Sequence, residues 1–499
     1  MKRTFIALAA LIPALLCGQN LADIEKRTTE FQLPNGLTFI VYERHQAPVV
    51  SFFSHVNAGS ADDPKGASGL AHMFEHMAFK GTTNVGSLNL PEEKKAIDAI
   101  EVAYDALSAE RNKGRQADAQ KVKQLEEALK AAIEKAKGFV DKERFTKILE
   151  ENGAVALNAF TSMDETAYEM SMPANKLELW FLMESDRFIN PVYREFYTER
   201  DVIREEYRMR VESNPQGRLL YEMLAVAFAT NPYRTFAAGI PSDIESYRVA
   251  DAQAFRKIYY VPSNIIIGIA GDVDPAEVKR LAIKYFGKMP AGPKPTGIMT
   301  KENQQWGEKR IKVETPSQPI VAVGYKRPSS LDKDDVVFDV LSSLLSAGRT
   351  SIMNKEMVQD KKIALAAQAV SSFPGSKHET LFLFFMVPNA GKTTEDCEKA
   401  AYEIIERLKN EKVTEEQLKR VKTIIRAQLI HSLDSNSGMA QNLATFKSLF
   451  GDWKVLFKQL DDLDKVTADD VQAAARKYFN EKDRTVATMV QPKQAAAKK

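Results

Sequence analysis

DAQAFRKIYY (251–260) returns as DVQAAARKYF (470–479), aligned without a gap. Asp251/Asp470, Gln253/Gln472, Ala254/Ala473 and Tyr259/Tyr478 match at a constant offset. Each copy leads into an apolar strand, Ile265–Ala270 or Val486–Val490. The match is short. Placed at corresponding ends of two similar halves, it indicates a duplicated unit. Between the halves, residues 287–310 hold Gly287, Pro290, Gly292, Pro293, Pro295 and Gly297, the strongest linker signal in the chain. The expected fold is therefore α+β, with two similar α/β-sandwich domains. We place the first domain at 23–289, the linker at 290–310 and the homologous second domain at 311–499.

Working outward, 31–58 reads as two strands, with an Asn35-Gly36 turn in the first and a β-branched, aromatic run at Val49–Val56. Ser68 is placed to cap a helix running from Gly69 to about Phe79, ended by Gly81. Strand-like sequence returns at 154–172, and helical patterns dominate from 174 to 261. The second domain opens with a strand at Ile320–Tyr325 and has another at 380–387. Residues 92–147 behave differently, being dense in Lys, Glu, Ala and Gln. Ile97, Ile100, Tyr104 and Leu107 form one helical stripe, and Val122, Leu125, Leu129 and Ile133 another. These predict a helical hairpin inserted in the first domain and projecting from it. A solvated charged insertion without a partner is the equal alternative.

Met1-Lys2-Arg3 followed by the apolar run Phe5–Leu16 has the layout of a secretory signal peptide, placed at 1–22. That run is too short for a comfortable membrane span. The reading implies a periplasmic or secreted protein. Leu16 is bulkier than lipid-processing signals prefer, which disfavours anchoring at Cys17. Without Lys2 and Arg3 the basic count falls to 67, equal to the 67 acidic residues. Such a balance removes the bulk electrostatic case for nucleic acid. Two cysteines exclude a disulfide framework and a thiolate zinc site.

Six histidines in 499 residues make a close pair conspicuous. His72 and His76 lie at i and i+4 of the predicted helix, so their rings project from one face. Two imidazoles so placed suit zinc. Glu75 lies near the same face, where a carboxylate can take a proton from water. A catalytic zinc usually has a third protein ligand and one open position. Glu199, Glu205 and Glu206 on the helical stretch 197–212 are the acidic candidates. Glu199 and Glu206, two turns apart, share a face, whereas Glu205 points about 100° from Glu206. His45, His55, His378 and His431 lack metal spacing, and Trp180, Trp306 and Trp453 read as packing residues.

GLAHMFEHMAFKGT (69–82) resembles the inverted zinc motif of the pitrilysin/insulinase metallopeptidases, in their mitochondrial-processing-peptidase-like branch. LPNGLTFIVYER (33–44), NAFTS (158–162), ERDVIREE (199–206), YVPSNIIIGIAGDV (260–273) and LLSAGRTSIMNKEMVQDKKIA (344–364) extend the resemblance over nearly the whole chain. It implies one zinc per chain, bound by His72, His76 and Glu206, with Glu75 as general base and Glu199 as a supporting acid. It also implies a substrate edge at Asn158, Ala159 and Phe160, where an extended peptide adds as a strand. The implied activity is zinc-dependent endopeptidase action on peptides or unfolded segments in a closed chamber.

Two departures matter. The gap between His76 and Glu206 exceeds the family's usual one, and the 92–147 insertion accounts for the excess. Where substrate-clamping members carry an Arg and a Tyr in the second domain, this chain has Val358 and Leu365. The expectation is a metal-bearing subunit whose clamp comes from a paralogous partner, with a homodimer as the alternative. A non-catalytic scaffold or adaptor subunit of the same fold is the competing function; the intact metal set weighs against it.

Overall fold

The computed structural model describes residues 21–492, so the leader reading and Cys17 lie outside the described residues apart from the leader's last positions. The first half builds a sheet from β1 (Thr28–Gln32), β2 (Thr38–Glu43), β3 (Val49–Val56), β4 (Val155–Thr161), β5 (Thr166–Pro173) and β6 (Ile265–Gly271). The second half uses β7 (Lys309–Glu314), β8 (Ile320–Arg327), β9 (Ala364–Phe373), β10 (Thr380–Pro388) and β11 (Arg484–Val490). The strand orders are β1-β2-β6-β3-β5-β4 and β7-β11-β8-β10-β9. With β1 set aside, the sheets match strand for strand. Each has one parallel pair, β2 with β6 and β7 with β11, where the last strand of a half returns beside its first.

The repeated segments are equivalent helices, Val249–Tyr259 and Ala468–Tyr478, feeding β6 and β11. The matched aspartates share one task. Asp251 accepts from the Arg248 backbone N–H at 2.9 Å, and Asp470 from that of Thr467 at 2.8 Å. Each closes its helix start back on the capping residue.

Each half covers the other's sheet. Helix Pro215–Ala227 packs on β7, β8 and β11, with Leu219, Met223 and Leu224 against Ile320, Ala322, Leu383 and Met489. Helix Asn436–Phe450 packs on β2, β3 and β6, with Met439, Ala440 and Leu443 against Ile40, Tyr42, Phe53 and Ala270. The first sheet's other face carries Phe52, stacked on Trp180 at 4.2 Å, and the largest core of the chain.

Several expectations change. The 31–58 stretch forms three strands, because the Asn35-Gly36 turn separates β1 from β2 as a hairpin. β7 precedes the expected first strand of the second half, and β9 was not anticipated. Residues 290–308 carry neither helix nor strand. Trp180 and Trp453 are buried, but Trp306 is 85% exposed and packs nothing in the core. The insertion is a hairpin of Leu90–Arg111 and Ala119–Lys137. It does not simply project, since Ile100, Tyr104, Leu107 and Leu129 join the first half's core.

Helix Asn436–Phe450 can lie close to the sheet because β6 has Gly268 beneath it. A Cβ there would stand 2.1 Å from the Ala440 carbonyl oxygen. At Gly324, facing the other exchanged helix, the nearest atom is the mobile Met223 methyl at 2.7 Å. Gly268→Ala should therefore lower stability by about 1–3 kcal/mol, and Gly324→Ala by less, as read from urea-unfolding midpoints.

Candidate metal centre

The motif helix spans Leu70–Met77. Its start departs from expectation. Gly69 takes a left-handed conformation, φ +87°, and the cap comes from a distance. The Asp63 carboxylate accepts from the backbone N–H groups of Gly69 (2.5 Å) and Ala71 (2.8 Å). Ser68 is not the cap, because its hydroxyl is committed to Asp243 at 2.7 Å. A side chain at position 69 would also meet the Tyr247 hydroxyl, 2.6 Å from the Cβ.

His72 and His76 stand with ring centroids 4.9 Å apart and planes at 87°. Glu206, near the end of helix Phe196–Tyr207, places Oε2 3.6 Å from His72 Nε2 and Oε1 3.6 Å from His76 Nε2. One potential ligand atom from each of His72, His76 and Glu206 lies within 4.8 Å of the others. Among the described residues no other group of three His, Cys, Asp or Glu is so gathered. Glu205 turns away and pairs with Arg208.

Glu199, on the same helix, stands behind the trio. Its Oε2 is 3.2 Å from His76 Nδ1, and its other oxygen is 2.5 Å from Lys80 Nζ. Burial opposes its charge, but His76 and Lys80 outweigh burial and hold Glu199 below the ordinary carboxylate range. A carboxylate on the second ring nitrogen fixes the tautomer and direction of the first. Burial, with His76 and Arg210 nearby, pushes His72 down to about 3. Burial also works against a charged His76, yet Glu199, Glu206 and Glu75 together raise its pKa.

Glu75 lies outside the trio and is buried. Burial raises its pKa, against the hydrogen bond that Thr161 Oγ1 donates at 2.6 Å. Thr161 ends β4, which pairs with β5 alone and forms the sheet's outer edge. Asn158, Ala159 and Phe160 lie on that edge strand. Asn158 is exposed and reaches Glu169 at 3.3 Å, whereas Phe160 turns to Phe53 on the opposite face of the sheet. In the second half, Val358 packs against the core and Leu365 is exposed on β9.

Sequence reasoning missed Asp63, Lys80, Thr161 and Arg210, whose Nη2 forms an ion pair with Glu206 at 2.9 Å. Only the i,i+4 spacing of Arg210 to Glu206 offered a local signal. Asp63 reaches its helix across a short loop, and Lys80 and Thr161 make contacts between distant segments.

Two family models match the chain. That described as insulinase, peptidase family M16, matches residues 39–130 and 128–237, and that described as the peptidase M16 inactive domain matches 247–425. The chain belongs to the M16 peptidase family and has its fold of two similar sheet-containing halves. Zinc protease PqqE of Helicobacter pylori is 29% identical over 467 residues, covering 91% of this chain and 90% of that protein. A probable mitochondrial-processing peptidase subunit beta of Arabidopsis thaliana is 22% identical, covering 90% of this chain and 76% of the relative. The crystal structure of a protease from Helicobacter pylori superposes with a TM-score of 0.77 at 26% identity, covering 93% of this chain and 99% of that one.

The distant cap gives a direct test. Asp63→Ala leaves two N–H groups of the motif helix without their acceptor. It should cost about 1–2 kcal/mol of stability, read as a lowered thermal midpoint.

Proposed function

We propose that this chain is a zinc-dependent endopeptidase, with one ion held by His72, His76 and Glu206. The observation that carries the reading is the convergence of these three side chains beside a buried glutamate that is not one of them. The donor set, two imidazole nitrogens and one carboxylate oxygen, fits zinc. Glu206 Oε2 is buried without a hydrogen-bond partner, since Arg210 approaches it without hydrogen-bond geometry. Zinc, when bound, supplies a Lewis acid that polarises a carbonyl and acidifies water.

The protein's own groups do the rest. Glu75 takes a proton from water and passes it to the leaving amine. Glu199 holds the His76 ring. The outer edge of β4 offers backbone donors and acceptors to an extended peptide, which favours peptides and unfolded segments over folded proteins as substrates. With Val358 packed and Leu365 apolar, the second half lacks side-chain donors at those two positions. We therefore assign this chain as the metal-bearing subunit, partnered by a paralogue that supplies an Arg/Tyr clamp, with a homodimer as the alternative. The proposed location is the periplasm or the exterior. No helix among the described residues is long and apolar enough to cross a membrane. The scaffold reading is less well supported, because the description as inactive attaches to 247–425, a region without the His motif.

Purified protein should bind about one zinc ion, and a chelator should abolish peptide cleavage. Glu75→Gln should retain the metal and lose roughly 10²–10⁴-fold in kcat; full activity in that variant would overturn the assignment.

The base works only when ionised, so activity falls as pH drops through the raised pKa of Glu75. Thr161→Val removes a hydrogen bond that lowers that pKa. The acid limb of its kcat/KM profile should move to higher pH. An unmoved limb would separate Glu75 from that titration.

Zinc affinity should also weaken as pH falls, starting above the ordinary histidine range. Neutral imidazole is the binding form, and the pKa of His76 is raised. Competition against a chromophoric chelator across pH reads this directly.

A further inference from the structure

Arg194 is 1% exposed, and all five of its N–H donors are used. Nε donates to Glu93 Oε1 at 2.7 Å and Nη2 to Glu93 Oε2 at 3.0 Å. The remaining donors reach the carbonyls of Lys80 (2.6 Å), Val85 (2.9 Å) and Thr82 (3.0 Å). Three segments meet there. Residues 80–85 are the loop that leaves the motif helix. Arg194 immediately precedes helix Phe196–Tyr207, which bears Glu199 and Glu206. Glu93, fully buried, lies in the first turn of the inserted hairpin. The charge that neutralises the buried guanidinium thus comes from the insertion. Such a guanidinium left without its carboxylate would not keep this geometry.

A second contact lies three residues past Arg194 and two to three turns further along helix Leu90–Arg111. Tyr197 stacks on Tyr104 with centroids 4.8 Å apart, and its hydroxyl donates to Glu101 at 2.8 Å. Both partners belong to the hairpin. Two residues past Tyr197 the same helix presents Glu199 to His76 and Lys80, and its end presents Glu206 to both histidines.

We propose that the inserted hairpin is a positioning brace for the metal centre: Glu93, through Arg194, and Tyr104, through Tyr197, set the helix that carries Glu206 against the helix that carries His72 and His76. This rests on Glu206 being a ligand, as proposed above. It assigns the inward face of the hairpin to the chain's own site and not to a partner.

Zinc affinity, measured by chelator competition well below each variant's unfolding temperature, tests the brace. Glu93→Gln and Tyr104→Leu, each folded by circular dichroism, should weaken zinc about 10–100-fold. Ile404→Ala, a core truncation in the second half, should lower the thermal midpoint and leave zinc affinity unchanged. Glu206→Gln sets the scale for a lost ligand. Wild-type affinity in Glu93→Gln and Tyr104→Leu, with affinity lost in Glu206→Gln, overturns the brace and leaves the ligand assignment standing. Wild-type affinity in Glu206→Gln overturns the ligand assignment and the brace with it. Equal weakening by Ile404→Ala reduces the effect to general stability and also overturns the brace. If Glu93→Gln fails to fold, Tyr104→Leu decides.

Discussion

Everything in this molecule depends on each sheet being closed by a helix from the other half. Ile40, Tyr42, Phe53 and Ala270 present apolar surface to which the first half's helices add only Ile24; Met439, Ala440 and Leu443 of the second half cover it. Ile320, Ala322 and Met489 are covered in return by Leu219, Met223 and Leu224. A half folded alone would leave a sheet face in water. Each Å² of apolar surface so exposed costs about 25 cal/mol, against a net stability of only about 5–15 kcal/mol for a domain. The exchange also leaves the opposite face of the first sheet to its own helices, and the candidate metal centre is built among those helices.

Duplication gives the second half an equivalent scaffold position, but among the described residues only the first half gathers a candidate ligand set. Helix Asp335–Ser346 packs over β9 as the motif helix packs over β4. At the place where the first half has histidines, the second has Phe338, Leu341, Leu344 and Leu345 in a core. The same scaffold position is spent on packing in one half and on the proposed ligands in the other. The region described as inactive, 247–425, contains this apolar helix.

What was legible in the sequence was local or repeated. His72, Glu75 and His76 are fixed relative to one another by helical geometry, so their spacing alone carried the reading. Glu206 needed the family resemblance, because nothing local distinguishes it from Glu199. The duplicated helix–strand ends were visible since both copies kept the capping aspartate. β7 was missed because Lys309, Arg310 and Lys312 make it look like linker, although its Ile311/Val313 alternation suits an edge strand. β9, rich in Ala and Ser, has weak strand propensity. Asp63 capping a helix across a loop, and Arg194 gathering three segments, are contacts that no periodicity encodes. The hairpin's stripes were read correctly as helical, but their docking surface was not, because Tyr104 finds Tyr197 only in three dimensions.

The bond from Thr161 to Glu75 carries a consequence for the sheet itself. Alternate residues of a strand face opposite ways. Leu157, Ala159 and Thr161 turn toward the helices of the metal centre, and Phe160 turns to the exchanged helix. Thr161 pairs with Thr166 across β5. A slip of one residue would reverse every side chain of β4, withdraw the hydroxyl and leave a buried carboxylate without its donor. The buried Glu75 therefore acts as a parity check on the edge strand: a strand with a single neighbour to hold its register is also tied by a carboxylate that its hydroxyl must reach.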